Sequence, residues 1–106
     1  MQRVIGLKVN EKDNVAVVFT ENVKKDTEIE IRDHKGNVEV ITLKSEIPFG
    51  HKIAIVPIKN GTPIIKYGEE IGVATSNIEI GEHVHVNNLD SQRSRGDKTI
   101  NGGEKK

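Results

Sequence analysis

No apolar run in this chain is longer than a strand, and each is closed by turn-forming residues. Val15-Ala16-Val17-Val18-Phe19 is a compact run of strand length. Ile53-Ala54-Ile55-Val56 is apolar on both faces, which predicts a central strand covered on two sides, ended by Pro57. Thr27-Glu28-Ile29-Glu30-Ile31-Arg32 alternates with period two, so Ile29 and Ile31 face a core and the charges face water. Asp33-His34-Lys35-Gly36-Asn37 has the composition of a hairpin loop, and residues 38–43 return as the partner strand. Residues 4–9 supply a first strand, residues 70–74 a short extended piece, and residues 83–87 the last strand. Between Thr62 and Gly68 the signals predict one helical turn, with Thr62 as N-cap, Pro63 at the first position and Gly68 as the stop.

These runs must supply the whole core. Only 34% of residues are apolar and three are aromatic, so the core is built from Val and Ile, which favour strands. Short strands with turn signals every ~8–12 residues predict a mostly β domain, a small barrel or clip. Five of the 10 glycines, Gly36, Gly50, Gly61, Gly68 and Gly81, fall at predicted turns. No amphipathic helix of useful length and no internal repeat is visible. With 106 residues there is room for one domain, assigned to residues 1–89. Residues 90–106 are polar and Gly- and Lys-rich, and are read as a tail disordered in isolation.

Charge and residue types exclude several functions. Sixteen basic and sixteen acidic residues balance, which argues against nucleic acid as a partner. No cysteine is present, so disulfides, thiolate metal sites and Cys nucleophiles are excluded. No run approaches the ~20 apolar residues of a membrane span. The start, Met1-Gln2-Arg3-Val4-Ile5-Gly6, lacks a signal-peptide pattern, so a cytoplasmic protein is expected. Walker, Rossmann and Gly-x-Ser-x-Gly patterns are absent.

Two short segments carry chemistry. In His83-Val84-His85-Val86-Asn87 a strand would turn Val84 and Val86 inward and leave His83, His85 and Asn87 in a row. Imidazoles about 6.6 Å apart along a strand can converge on one metal ion or anion. A solvent-facing pair without a role is the other reading. In Gly50-His51-Lys52, His51 suits general acid–base work and Lys52 a substrate carboxylate, against the alternative of two exposed polar residues in a turn. Tyr67, with Glu69 and Glu70, offers a phenol beside two carboxylates, or simple packing and a solvated turn. Tyr67 and Asn88 join Lys52 as substrate-binding candidates, and His83 with His85 as metal ligands.

Three ordered segments form a set: Ile47-Pro48-Phe49-Gly50-His51-Lys52-Ile53-Ala54, Ile65-Lys66-Tyr67-Gly68-Glu69-Glu70-Ile71-Gly72 and Ile80-Gly81-Glu82-His83-Val84-His85. Together they resemble the SAF-type module of the altronate and galactarate dehydratase family, which includes the alpha subunit of sulfolactate sulfo-lyase. The resemblance runs over residues 4–97 and implies a β-clip fold. It implies a small component of a carbon–oxygen lyase that dehydrates a sugar acid such as altronate, inactive without a large dehydratase subunit that shares the active site. It also implies a divalent metal, Fe2+ among the candidates. The tail from Ser91 to Asp97 looks more like the sulfo-lyase subunit, and loss of sulfite from sulfolactate is the alternative reaction. A module that binds a sugar acid or serves assembly, without catalysis, is the alternative of another class. One departure stands out: the family's last motif commonly reads His-x-His-Asn, with His at the positions of His85 and Asn87. Here the paired His is His83. Asn is a poor transition-metal ligand, so either His83 substitutes or the site is altered.

Overall fold

The structure, a computed structural model, describes residues 4–21 and 23–91. Among these residues there are strands and no helix. The strands are β1 (Ile5–Lys8), β2 (Val15–Val18), β3 (Glu28–Asp33), β4 (Val38–Thr42), β5 (Lys52–Ala54), β6 (Pro63–Lys66), β7 (Glu69–Ala74), β8 (His83–Val84) and β9 (Leu89–Asp90). They form a curled six-stranded sheet in the order β4-β3-β1-β2-β5-β8 and a three-stranded sheet in the order β6-β7-β9. Every pairing is antiparallel except β1 with β3. The expectation of a small, mostly β domain therefore holds.

The period-two pattern decides where each side chain goes. Ile29 and Ile31 of β3 are buried, as expected, and join Ile41, Ala16, Val18, Ile53 and Ile55 in one core cluster. Val15, Ala54, Val84, Ile58, Ile64, Ala74 and Ile78 form a second cluster between the two sheets. β2 and β5 are the wall shared by both, so Ile53 points into one core and Ala54 into the other. Of the doubly covered strand read from residues 53–56, Ile53 and Ala54 lie in β5, Ile55 is buried just beyond it, and Val56 is exposed. Each fully buried Ile or Val contributes roughly 1.5–3 kcal/mol relative to exposure.

Four segments repeat one hook: Val23 to Ile29, Ile47 to Ile53, Ile58 to Ile64 and Ile78 to Val84. Each places buried apolar residues at its first and seventh positions. Its fourth position has positive φ: Asp26 (72°), Gly50 (82°), Gly61 (89°) and Gly81 (90°). A backbone bond closes each turn, from Thr27 N to Lys24 O (3.3 Å), His51 N to Pro48 O (3.1 Å), Thr62 N to Lys59 O (2.9 Å) and Glu82 N to Glu79 O (3.0 Å). Positive φ at the third turn residue is the type II signature. The hooks pair through bridges between Val23 and Ile47 and between Ile58 and Ile78. The clip is thus two pairs of hooks, an internal repeat that the sequence pass did not find.

Three further expectations change. The helical turn predicted over 62–68 is instead β6 and the tight turn into β7, with Pro63 as the first strand residue, a position where its missing N–H is tolerated. The last strand stops at Val84 rather than running through Asn87, because residues 85–88 turn, with Asn88 N bonded to His85 O at 2.9 Å. The boundary after residue 89 is crossed by β9, and the tail from residue 92 onward lies outside the described residues.

Candidate metal centre

Two hooks bring the histidines together. In the second hook His51 follows Gly50, and its carbonyl accepts from Val18 N at 2.9 Å, which ties it to β2. In the fourth hook His83 opens β8 in register with Ile53, and its N–H donates to Ser45 Oγ at 3.2 Å. His85 begins the turn after β8. His51 Nδ1 and His83 Nε2 are 2.8 Å apart. The rings stack, with centroids 5.0 Å apart for His51–His83, 4.3 Å for His51–His85 and 5.4 Å for His83–His85. One ring nitrogen from each lies within 4.8 Å of the others, and all three side chains are half-buried.

The 2.8 Å between His51 Nδ1 and His83 Nε2 is a hydrogen-bond distance, and the three ring nitrogens together lie close enough to hold a metal ion. Burial, then the neighbouring His85 and Lys52, hold the His51 pKa below its ordinary value. Burial, then His51, His85 and Lys52, do the same to His83. Neutral imidazole is the form that ligates. Metal–nitrogen bonds of ~2.0–2.1 Å in a tetrahedral site need donor atoms about 3.3 Å apart, so small rotations of these rings suffice. Among the described residues no carboxylate joins the cluster. The donor set is three imidazoles, which suits Zn, Cu, Fe or Ni rather than Mg or Ca.

The other predicted residues lie elsewhere. Adjacent residues of an extended segment point to opposite faces, so Lys52 shares its face with Ala54 and the second core, not with His51. Burial, then the charge of Lys66, lowers the Lys52 pKa. Lys66 Nζ sits 4.9 Å over the Tyr67 ring at the tip of the β6–β7 turn, where Tyr67 (φ 55°) and Gly68 (φ 80°) are both left-handed. Lys66 is thus near enough to Lys52 for its charge to be felt there, and it packs on the Tyr67 ring. Asn88, expected at substrate, is instead buried, with its carboxamide bonded to the backbone of both His83 and His85. Asn87 is exposed, in the turn after β8.

Asp13 and Asn14 stand outside the residues singled out from the sequence. Asp13 is 5% exposed, and its carboxylate accepts from Val9 N (3.1 Å), Asn10 N (3.0 Å) and Gly68 N (2.8 Å). Asn14 donates Nδ2 to Pro63 O at 2.9 Å and accepts from Ile65 N at 2.7 Å. This dipeptide therefore fastens the three-stranded sheet to the larger one. The signal was available, since an Asp-Asn pair just before an apolar strand is a common provider of backbone hydrogen bonds.

Comparison with known proteins gives a consistent result. Residues 4–92 match the family described as the altronate/galactarate dehydratase SAF domain. The chain is 39% identical over 88 residues to altronate dehydratase of Bacillus subtilis, covering 83% of this chain but 16% of that enzyme. It is 43% identical over 53 residues to (2R)-sulfolactate sulfo-lyase subunit alpha of Paracoccus pantotrophus, 50% of this chain and 79% of that subunit. With the same subunit of Chromohalobacter salexigens it shares 35% identity over 83 residues, 76% of this chain and 87% of that subunit. The matched span contains every residue of the cluster.

Proposed function

The chain belongs to the altronate/galactarate dehydratase SAF domain family, and on that premise we propose that it is the small component of a lyase acting on a hydroxy acid. The convergence of His51, His83 and His85 within 4.8 Å carries the reading. These three would hold a divalent transition metal, which supplies Lewis-acid polarisation of a substrate oxygen. In the reaction the proton α to a carboxylate and the group β to it leave, with a carbon–carbon double bond formed between the two carbons. That needs a base, a stabiliser for the developing negative charge and an acid for the leaving group. The chain offers His51 and His83, whose pKa values burial holds below the ordinary imidazole value, and, on the other face of β5, Lys52, whose pKa burial also lowers. A sheet this thin encloses no substrate, so the remaining groups would come from a large partner. Half-exposed Phe19 and Phe49, packed edge-to-face beside His51, and Val86 at 80% exposure beside His85 support such a covering surface.

The match over most of a stand-alone sulfo-lyase subunit favours a second substrate class, sulfolactate, with sulfite as the leaving group. One experiment addresses both. The chain is assayed on altronate, galactarate and sulfolactate, alone and mixed with a candidate large dehydratase or sulfo-lyase subunit from the same genome. Activity should require both components and fall at least about 100-fold on His51→Ala or His85→Ala, the scale of a lost catalytic group. Full activity of the large chain alone would reject the proposal.

A further inference from the structure

β8 covers only His83 and Val84, so His85 lies beyond the strand and its backbone is held by something other than strand pairing. β8 is the outer strand of its sheet, so on one side its backbone has no neighbouring strand. On that side the His83 N–H meets Ser45 Oγ, and the His83 C=O and the His85 N–H meet the Asn88 side chain. Asn88 Oδ1 accepts from His85 N at 2.9 Å, and Asn88 Nδ2 donates to His83 O at 2.9 Å. The carboxamide brackets Val84 as a missing strand would. Asn88 N also donates to His85 O at 2.9 Å, and Asn88 O accepts from Thr75 N at 3.0 Å, which anchors the turn to the segment after β7. Asn88 is 8% exposed, so water does not compete freely for these bonds.

We propose that Asn88 is a positioning residue: its carboxamide sets the backbone at His83 and His85 so that their rings converge with His51 into one three-nitrogen site. The inference rests on the metal reading for its importance, not for its geometry. A carboxamide offers an acceptor oxygen and a donor nitrogen from one planar group without a change of protonation state. Aspartate keeps the acceptor and loses the donor. Alanine loses both and leaves the His85 N–H and His83 C=O buried without partners.

The test uses the full chain, metal-free and then titrated with Co2+ alone. Co2+ affinity follows from calorimetry and the visible absorption of the bound ion. NOEs between the rings of His51, His83 and His85 report the geometry without metal. Asn88→Ala should lose the His51–His83 and His83–His85 NOEs and weaken Co2+ binding about 10–100-fold, the range for outer-shell partners of metal ligands. Ile31→Val, a core change far from the triad, should lower Tm without altering either readout. If Asn88→Ala does not fold, isosteric Asn88→Asp carries the test, and should loosen His83 while His85 stays near His51. Unchanged ring NOEs in the folded variant overturn the inference. Lost NOEs in a chain whose parent binds no Co2+ would sustain it and reject the metal reading instead.

Discussion

Gly61→Ala and Gly81→Ala are the same substitution at the same hook position, yet they should differ in stability. At Gly61 φ is +89°, and an added Cβ meets nothing within 4 Å. The loss is then the left-handed strain alone, about 1–2 kcal/mol. At Gly81 φ is +90°, but the Cβ would lie 2.3 Å from Thr42 O and 3.3 Å from Thr42 C. Those atoms are backbone at the end of β4 and cannot rotate away. Relief means shifting the hook, whose Gly81 O also accepts from Lys44 N at 2.9 Å. Overpacking of this kind adds about 1–3 kcal/mol. Each extra kcal/mol lowers Tm by about 4–8 °C in a domain near this size. Thermal unfolding by circular dichroism, with urea denaturation of the same metal-free chains, gives both values. Gly61→Asn is the internal control: Asn tolerates the left-handed region, and Asp26 already occupies the matching position of the first hook at φ 72°. Its loss should be smaller than that of Gly61→Ala. A Gly81→Ala chain as stable as Gly61→Ala would refute the close approach of the fourth hook to Thr42.

Asp13→Ala orphans three backbone N–H groups and should cost about 2–4 kcal/mol, read as a fall in urea midpoint at constant m; a loss below about 0.5 kcal/mol would contradict the fastening role. The metal-free chain should lose stability on acidification: His51 and His83 have folded pKa values below the unfolded value of about 6.5, so the unfolded chain takes up more protons. Stability is then full above about pH 6.5 and falls below it, and the slope should shrink in a His51→Ala/His83→Ala chain; a Tm that rises on acidification counts against it. A transition metal at 100 times its dissociation constant should stabilise the chain by about 2.7 kcal/mol, an effect that His83→Gln abolishes and that a chelator reverses.

Local pattern was enough for most strands. The alternation in residues 27–32 placed Ile29 and Ile31 correctly because side-chain direction follows backbone period. It was not enough where one residue type serves two purposes. Thr62, Pro63 and Gly68 carry helix-end signals, but Pro63 also suits a strand's first residue, and Ile64-Ile65 between them is β-branched. Hydrogen bonds to Asn14 across the sheets decided the outcome. The triad was legible as a list of residues but not as a site. His51 and His83 meet through the pairing of β5 with β8, a long-range register that no local spacing encodes. The hook repeat was hidden because its fourth position is Asp26 once and Gly three times, at irregular intervals.

β1 lies between β2 and β3, antiparallel to one and parallel to the other. It is near the start of the sequence but in the interior of the six-stranded sheet. End segments usually fray first, and the earliest amides to exchange with solvent are normally found there. Opening β1 would instead part the β3–β4 hairpin from β2, β5 and β8 in one event. Gly6 makes that seam tight: a Cβ there would come within 2.8 Å of the Ile31 Cδ1 atom. The amides of β1 should therefore exchange only with global unfolding, so that this strand is among the last parts of the domain to let go.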